Sequence, residues 1–387
     1  MLRFYDTVLD APARLHDGTH RAATLDATWR RFAPAARRAG ITRLAELTGL
    51  DTIGIPVFAA IRPMGKSLST QQGKGITELA ARVSALMESL ETYSAEELVA
   101  TVRGSYRALR KRRRVVDVRR LPRPRGRLDL DATWRWIEGF DLVTRGPVLV
   151  PVQAVTLDTT FTRPPIFDIS SNGLASGNVL VEAIVHGLCE VIERDAESQW
   201  RRAGGDRRIV LDSIGDATCR ALIDRIVATG ARVFVWDLAS DLDVAAIGCA
   251  IVEDPREPAW RALGCYQGFG AHLVPEVAIA RAVTEAAQTR LTYIAGGRDD
   301  FFAADYARAT DPELLAAEWA RLAAPCETPV DFADLPRHAT RSLGEDLELL
   351  VGRLDEVIVV DVTHPALGVP VVKVIVPGRA TDLEAMG

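Results

Sequence analysis

Five ionisable side chains recur at helical spacing in one stretch of the sequence: Glu182, His186, Glu190, Glu193 and Glu197. At about 100° per residue they fall within an arc of roughly 80° on one side of a helix, while aliphatic residues occupy the opposite side. Like charges at this spacing repel each other by about 0.2 to 0.5 kcal/mol per pair in water, and by more when they are desolvated. Because no lysine is interleaved with these acids, the stripe favours a bound cation.

Two other helical patterns also carry a polar side. In ELAARVSALMESLETY, Ser84, Glu88 and Glu91 lie within about 60° of one another on a helix. In PEVAIARAVTEAAQTRLT, one side combines acid, amide and guanidinium groups, namely Arg281, Glu285, Gln288 and Thr292. Carboxylates alone suit hard, oxygen-loving ions, above all Mg2+, which a few carboxylates hold together with the phosphates of a substrate. Arginine and lysine would then contact the phosphates directly.

The alternative is that these faces are simply solvated. A single glutamate-rich face usually is, and we expect His186 to lie on the helix face without binding the ion. Three such faces beside the glycine-rich segments SNGLASGN, QGKG and IAGGRDD, which we predict to be loops, make coincidence less plausible. Cys189 points away from the acidic arc, which predicts a core position.

Composition bounds the class of protein. The chain has 387 residues, 48% of them hydrophobic and 26% charged, enough for one large domain or two ordinary ones. Its formal net charge of -5 gives no overall attraction to nucleic acid or to anionic lipid. No apolar run is long enough to span a membrane and no secretory signal is found, so we expect a cytoplasmic location. Five widely spaced cysteines argue against a disulfide framework or a zinc site, and we expect most of them to be buried.

One segment departs from the acidic balance. Between Arg103 and Arg127 the sequence RGSYRALRKRRRVVDVRRLPRPRGR is strongly basic and ends in proline and glycine. The simplest interpretation is a solvated face followed by an exposed connector. A groove for an acidic peptide or partner is the main alternative, and nucleic acid is disfavoured.

The elements that must position the polar faces are readable from apolar periodicity. Alternating runs predict strands at 53–61, 147–155, 232–238, 246–254 and 357–362. Helical patterns fall between them, at 76–92, 178–200, 213–229, 275–294, 311–322 and 340–353. Because strands and helices mix without strict alternation, we predict an α+β fold with mixed or antiparallel sheets and packed helices. No segment marks a clean domain boundary.

Long motifs resemble a known family. SALMESLETY, SNGLASGNVLVEAIVHGLCEVIERDA and TEAAQTRLTYIAGGRDD resemble the three ATP-site motifs of the YcaO family. DGTHRA, GITRLAELTGLDTIGIPV, RPMGKSLSTQQGKGIT and HPALGVPVVKVIVPG are similar to the subgroup that works with a TfuA partner. The resemblance implies one YcaO-type catalytic unit over residues 1–387, with its ATP site between helices. Within it we expect an N-terminal segment at 1–65, an ATP-binding core at 66–300 and a C-terminal segment at 301–387.

The resemblance implies an activity. YcaO enzymes use ATP and Mg2+ to phosphorylate the oxygen of a backbone amide in a ribosomally made peptide or protein, after a nucleophile has added to the carbonyl carbon. Loss of phosphate then leaves an azoline, a thioamide or an amidine, depending on whether the nucleophile is a Cys, Ser or Thr side chain, a sulfide equivalent or an amine. No nucleophile from the enzyme is needed, which agrees with the lack of a persuasive Ser-His-Asp or Cys-His constellation.

The same resemblance implies roles for individual residues. The implied Mg2+ ligands are Glu88, Glu91, Glu190 and Glu193. The residues implied to surround the nucleotide are Lys74, Ser84, Glu182, Arg194, Glu285, Gln288, Arg290 and Arg298. No residue is assigned as a catalytic nucleophile.

Departures from the family pattern separate three hypotheses. Glu91 is followed by Thr92, where much of the family has arginine, so any phosphate contact from that arginine must come from elsewhere. The Pro-x-Pro-x-Pro tail of azoline-forming members is not found in PGRATDLEAMG. The missing tail, the TfuA-like signatures and the lack of a fused substrate-recruiting domain favour a thioamide synthetase that works with a precursor peptide or protein, a TfuA-type partner and a sulfide donor. The family resemblance suggests a homodimer. An azoline cyclodehydratase and a non-catalytic nucleotide-binding scaffold are the alternatives.

Overall fold

A computed structural model describes residues 1–16, 18–123, 127–161, 164–256 and 263–379. The strands within these ranges are β1 Arg3–Phe4, β2 Thr7–Val8, β3 Arg14–His16, β4 Thr19–Arg21, β5 Arg43–Glu46, β6 Val57–Ile61, β7 Thr70–Lys74, β8 Val102–Ser105, β9 Thr133–Asp141, β10 Gly146–Pro151, β11 Leu174–Ser176, β12 Arg232–Asp237, β13 Ala245–Val252, β14 Tyr266–His272, β15 Ile358–Asp361 and β16 Val371–Ile375. The helices are α1 Leu25–Phe32, α2 Glu78–Glu96, α3 Tyr106–Leu109, α4 Leu180–Ala203, α5 Ala217–Val227, α6 Pro275–Ala295, α7 Ala303–Ala309, α8 Pro312–Ala323 and α9 Leu343–Val351.

Three sheets form the framework. The largest has the strand order β10-β9-β15-β16-β11, with β8 also paired to β9. Two three-stranded sheets have the orders β5-β6-β7 and β12-β13-β14, and β1-β2 and β3-β4 are separate two-stranded pairs. All of these strand pairs are antiparallel.

Each helix that carries a polar face rests on strands of a sheet. Helix α2 packs on β6 and β7, α4 on β11 and β16, and α6 on β13 and β14. Their apolar sides enter three hydrophobic clusters, represented by Leu86 under α2, Leu188 under α4 and Val283 under α6. The polar faces are therefore the sides of the helices that do not pack on a sheet.

Two glycines set how closely the helices approach their strands. A Cβ atom at Gly73 of β7 would lie 1.9 Å from the Ala85 amide nitrogen of α2. A Cβ atom at Gly268 of β14 would lie 2.1 Å from the Ala286 amide nitrogen of α6. Because no side chain fits in either contact, the helix backbones rest directly on the strands at the level of the candidate site residues that precede Ala85 and Ala286.

The predicted α+β class with packed helices is confirmed, and each of the predicted strands and helices overlaps an observed one. The prediction of QGKG as a glycine-rich loop is wrong, because Gln71 to Lys74 belong to β7 and pair along β6. SNGLASGN likewise contains β11, which pairs with β16. Both segments are short on branched apolar residues, so their periodicity gave no strand signal.

The cysteines are mostly enclosed by protein. Cys189, Cys219 and Cys249 are buried, and Cys265 and Cys326 are half-buried. Burial raises the pKa of the Cys189 and Cys265 thiols to about 12, and it raises the pKa of Cys219 and Cys249 further still. These four thiols are therefore protonated at physiological pH. None of the described helices is both long and apolar enough to cross a membrane.

Candidate functional site

Helix α2 presents Ser84, Glu88 and Glu91 as half-buried residues in an otherwise buried stretch of helix. Glu91 Oε1 accepts hydrogen bonds from the Ser176 amide nitrogen at 3.0 Å and from its Oγ at 2.6 Å. Burial raises the pKa of Glu88 to about 7 and that of Glu91 to about 8, and the nearby charges of Glu88 and Glu190 add to the effect on Glu91. The α2 carboxylates thus lie close to each other and to α4.

Helix α4 supplies the second polar face. Burial raises the pKa of Glu190 to about 7, and the neighbouring Glu193 adds to the shift. Glu193 is buried and accepts a hydrogen bond from the Ala271 amide nitrogen of β14 at 3.1 Å. Arg194 Nη1 lies 3.0 Å from Glu197 Oε2, so the last acid of the stripe is neutralised within its own helix.

Helix α6 and strand β7 close the cavity with cations and amides. Lys74 Nζ lies 2.5 Å from Glu285 Oε2, and Arg194 Nη2 lies 3.4 Å from Glu285 Oε1. Burial alone would raise the pKa of Glu285, but Lys74 and Arg194 outweigh it and lower that pKa to about 2. Gln288 Nε2 donates to the Gln72 carbonyl of β7 at 2.8 Å. The side chains of β7, α4 and α6 therefore meet at one carboxylate.

The loop after α6 brings a further cation to this cavity. Gly296 ends the helix in the left-handed region, at φ 58°, and its amide donates to the Thr292 carbonyl at 3.1 Å. Arg298 then pairs with Asp300, and its charge acts on Glu88 of α2. Polar side chains of α2, α4 and α6, of β7 and of this loop consequently act on one another's charges and form one polar cluster, which is the candidate cavity.

Arg281 and His186 form a contact that joins α6 to α4. Arg281 Nη1 lies 3.2 Å from His186 Nε2, and Arg281 Nη2 lies 3.5 Å from Glu193 Oε2. Burial lowers the pKa of His186 to about 3, and the charge of Arg281 adds to the shift, so the imidazole is neutral. Its partners are the Arg281 guanidinium and the Ser176 backbone. Arg281 was noticed in the sequence as part of a mixed polar face but was not predicted to support the site.

Two residues that were predicted to contact the nucleotide, Arg290 and Glu182, instead bind other groups of the protein. Arg290 is fully buried, and its guanidinium lies 2.9 Å from both Asp51 and Glu253. It lies two residues after Gln288, about 200° around α6, so it faces the sheet core and away from the cavity. The structure does not bring Arg290 to the other site residues, and a structural ion pair accounts for its position.

Glu182 has a similar commitment at the start of α4. It is buried, its Oε2 accepts from the Ala22 amide at 2.9 Å, and its Oε1 accepts from Asn178 Nδ2 at 3.0 Å. Both oxygens are therefore used by the protein itself. Sequence spacing placed Glu182 on the polar face, but it could not show that the segment after β4 folds over this end of the helix.

The hydroxyl of Thr92 is used within helix α2. It is buried, and its hydroxyl donates to the Glu88 carbonyl one turn earlier at 2.9 Å. Lys74, Arg194 and Arg298 supply positive charge to the cavity without a contribution from this position. The replacement of arginine by Thr92 therefore leaves the cavity with cations from three other elements.

The carboxylates can be tested for their fit to Mg2+. Among the described residues, no group of three or more His, Cys, Asp or Glu side chains converges closely enough to hold a metal ion by itself. Magnesium, however, usually takes one or two carboxylates and completes its octahedron with water and phosphate oxygens. Glu88, Glu91 and Glu190 are half-buried acids whose raised pKa values reflect burial and mutual repulsion, which a cation would relieve. The donor set therefore fits Mg2+ held jointly with a nucleotide.

Comparison with known sequences adds independent information. Residues 72–380 match the family described as YcaO cyclodehydratase, ATP- and Mg2+-binding. The chain is 37% identical over 391 residues to the protein in the tfuA 3′ region of Rhizobium leguminosarum bv. trifolii, with 96% of this chain and 91% of that protein aligned. It is also 37% identical over 378 residues to a protein of Methanothermobacter thermautotrophicus, with 93% and 96% aligned.

Solved structures share the fold. YcaO from Methanopyrus kandleri bound with AMPPCP and Mg2+ is similar with a TM-score of 0.74 and 28% identity, over 97% of this chain and 95% of that one. A heterocyclase in complex with substrate and cofactor is similar with a TM-score of 0.79 and 22% identity, over 97% of this chain. The chain spans 54% of that heterocyclase, and at this identity the likeness shows the fold alone.

Proposed function

The chain belongs to the YcaO family, whose members bind ATP and Mg2+, and on that premise we propose that it converts a backbone amide of a ribosomally made peptide or protein into a thioamide. The reaction consumes ATP, takes sulfur from a sulfide donor and involves a TfuA-type partner protein. We further propose that the protein acts as a homodimer. The observation that carries the proposal is the meeting of acids and cations from three helices in one cavity.

Residue roles follow from the charges in the cavity. Glu88, Glu91, Glu190 and Glu193 would hold Mg2+, the first three as half-buried acids with raised pKa values and Glu193 as the buried acid beside Glu190. Around the triphosphate we place Lys74, Ser84, Arg194, Glu285, Gln288 and Arg298. Bound Mg2+ would neutralise phosphate charge during transfer. Glu285 holds Lys74 and Arg194 in position until phosphate oxygens compete for them.

The chemistry balances without a nucleophile from this chain. Sulfide adds to the amide carbon, the former carbonyl oxygen bonds to the γ-phosphorus of ATP, and the bond from that phosphorus to ADP breaks. The carbon–oxygen bond then breaks, so phosphate leaves with the amide oxygen and the carbon–sulfur double bond remains. An amide oxygen is a poor leaving group, and positioned cations are what such a transfer requires.

One observation favours the thioamide over other products. The protein of R. leguminosarum with which the chain shares 37% identity is named for its place in the tfuA 3′ region. A gene beside tfuA suggests that the two products act together. By the resemblance of the sequence motifs, TfuA partnership goes with sulfide as the nucleophile.

Mass spectrometry tests the product directly. The peptides and proteins of the source organism are compared between the wild type and a strain lacking this gene, and each altered peptide is then incubated with purified protein, TfuA partner, ATP, Mg2+ and sulfide. A thioamide gives the mass gain of one sulfur replacing one oxygen, and omission of sulfide or ATP should abolish it. A strain complemented with Glu190→Gln serves as the control that has the protein but not its proposed metal ligand.

The azoline cyclodehydratase is the second candidate, because the matching family is described by that activity. It would remove one water mass from a Cys-, Ser- or Thr-containing peptide without any need for sulfide. A non-catalytic scaffold would instead bind ATP by calorimetry and release no phosphate with any peptide and partner. Either outcome would contradict the thioamide proposal.

A further inference from the structure

Lys373 is a buried lysine in the middle of the apolar strand β16. Its residue is 4% exposed, and its neighbours in the strand, Val372 and Val374, are buried in the hydrophobic cluster beneath α4. Its ammonium donates to the Ser170 carbonyl, the one hydrogen bond it makes in the described part of the chain. An ammonium has three N–H donors, so a single acceptor leaves most of its capacity unused.

Lys373 lies near the candidate site, because its partner in β11, Leu174, stands two residues before Ser176, whose hydroxyl donates to Glu91. Glu190, the central acid of the α4 stripe, is the charged group that acts on it, and burial lowers the pKa of Lys373 to about 8. Keeping an ammonium in such a place costs free energy, because desolvation disfavours the charged form. A hydrophobic residue would pack better at this position, so the lysine has a use other than stability.

Lys373 lines a cleft next to the candidate site. The cleft holds about 590 Å³, a volume that includes the solvent at its mouth, and Ser170, which accepts the hydrogen bond from Lys373, forms part of its wall. Seven of the twelve lining residues are apolar, and the polar ones are Asp168, Ser170, Asn172, Lys373 and Arg379. Apolar walls with a few placed polar groups suit an organic chain better than a triphosphate.

The mouth of the cleft lies beside the basic segment. Leu121 and Pro122 directly follow Arg119 and Arg120, which are exposed to about half of their surface, at 57% and 47%, and whose guanidinium groups lie 4.0 Å from Asp117 and 3.6 Å from Glu356. The other cation of the lining, Arg379, is already paired with Asp195 and Asp241. The rim can therefore attract acidic residues of an incoming peptide, while inside the cleft Lys373 is the cation that remains available.

We propose that this cleft receives the substrate peptide and that Lys373 donates a hydrogen bond to the oxygen of the amide under modification. The inference rests on the proposed function and assigns the peptide subsite beside the nucleotide. As sulfide adds to the carbon, negative charge develops on that oxygen, and a fixed ammonium stabilises it before the oxygen bonds to phosphorus. Lys373 transfers no proton in this step, so it acts by charge and position.

The test separates this role from simple neutralisation of Glu190. In Lys373→Met, kcat/KM for the peptide identified in the sulfide assay should fall about 100-fold, as for loss of one oxyanion donor, while the dissociation constant for Mg2+ and AMPPCP should stay within about twofold. Lys373→Arg should recover part of the activity. The matched control Lys66→Met, which removes a half-exposed lysine paired with Glu97, should leave both constants unchanged. Equal losses of peptide turnover and nucleotide affinity in Lys373→Met would overturn the proposal.

Crosslinking tests the cleft without relying on turnover. A photoreactive p-benzoylphenylalanine replaces Pro122 at the cleft, and in a control protein it replaces Leu314, an exposed residue of α8. Light applied in the source organism should attach the modified peptide to the first protein and not to the second. If that peptide crosslinks equally to both, the cleft is not its binding site. If wild-type protein modifies no peptide at all, the proposed function fails, whereas a failure limited to these variants counts against the cleft alone.

Discussion

The carboxylate of Glu190 lies where its negative charge opposes folding unless a cation joins it. Its pKa of about 7 is above the value of a solvated glutamate, so in the folded protein the ionised form at pH 8 is disfavoured by burial and by Glu193. The ionisation of Glu190 therefore lowers the stability of the metal-free protein as pH rises from the ordinary pKa of 4.5 to about 7. Stability and metal binding make opposite demands on this residue.

Glu190→Gln should separate those demands. Without Mg2+ at pH 8, the variant should unfold at a temperature equal to or above that of the wild type, because the buried charge is gone. Hydrolysis of ATP with peptide and partner should fall by at least about tenfold, since one charged ligand of the ion is lost. Thermal unfolding and phosphate release measure the two effects. Glu78→Gln, an exposed change on α2, is the control, and wild-type turnover in Glu190→Gln would refute the metal assignment.

The pKa of Asp141 is lowered instead of raised, which predicts that the protein loses stability at acid pH. Burial alone would raise its pKa, but hydrogen bonds from Thr144 and from Arg114, at 2.7 and 2.6 Å, outweigh it and lower the pKa below its ordinary value. A carboxylate with a lowered pKa stabilises the fold above its unfolded-state pKa, near 3.8, and that stability is lost as pH falls towards the folded value.

Asp141→Asn should remove this pH-dependent part of the stability. Unfolding in urea at pH 7 should become easier by about 2 kcal/mol, because charge-assisted hydrogen bonds are lost. As pH falls below about 4 the difference from the wild type should shrink, because the carboxyl takes up a proton first in the unfolded chain and, at still lower pH, in the folded protein. Asp212→Asn, at a 94% exposed side chain, should behave as the wild type at every pH. A constant difference from pH 3 to pH 7 would show that Asp141 acts by packing instead.

At the scale of elements, the contact of α2 with β7 decides where Ser84, Glu88 and Lys74 stand. Gly73→Ala would place a Cβ 1.9 Å from the Ala85 amide nitrogen, and a backbone atom cannot rotate away. We expect a loss of unfolding free energy above the 1 to 3 kcal/mol of ordinary overpacking, with little folded protein or a shifted helix. Circular dichroism during heating measures it.

Gly49→Ala provides the matched control for this change. Its Cβ would have no atom within 4 Å, so the same substitution adds a methyl group to open space. We expect its unfolding temperature to stay close to the wild-type value. Equal stability of the two variants would mean that α2 lies further from β7 than described.

The elements differ in how far sequence could predict them. Helix α4 was predictable because its apolar and acidic sides alternate at one period over many residues. Strand β7 was not, because TQQGK carries no apolar pattern and is held in place by its pairing with β6 and by α2 above it. The site divides in the same way. Helical spacing groups Glu190 with Glu193, but only the tertiary packing shows that Arg290 is paired with Asp51.

Lys373 shows a signal that was present and not used. The run VVKVI places one lysine inside a strand that is otherwise continuously apolar, and a buried charge in such a run indicates a functional position. Its partner Glu190 is far away in sequence, so no local pattern could join the two. The sequence therefore indicates that this lysine is unusual, whereas the role requires the cleft.

At the scale of the whole molecule, the cavity lies where helices from three sheets meet. A ligand bound to α2, α4 and α6 at once joins their polar faces, and any species that binds only the folded state stabilises it, by about 2.7 kcal/mol at 100 times its dissociation constant. We expect Mg2+ and AMPPCP together to raise the unfolding temperature by a few degrees. Either component alone should do less, because acids and phosphates would each lack their counter-charge.

Removal of the ion tests this coupling. Excess EDTA should return the unfolding temperature of the complex to that of the free protein. The unfolding temperature of Glu190→Gln should change little on addition of Mg2+ and AMPPCP or of EDTA. A full shift with AMPPCP in EDTA would mean that the nucleotide is held by Lys74, Arg194 and Arg298 without the carboxylates.

The protonated state of the thiols has a consequence for the sulfur chemistry. Four of the five cysteines have raised pKa values, so they are poor nucleophiles and slow to form adducts with persulfides or polysulfides. A protein with such thiols can work in a reducing, sulfur-rich solution without forming covalent sulfur adducts on these four side chains. If the proposed thioamide synthesis holds, these four thiols are poor carriers of the sulfur that reaches the amide.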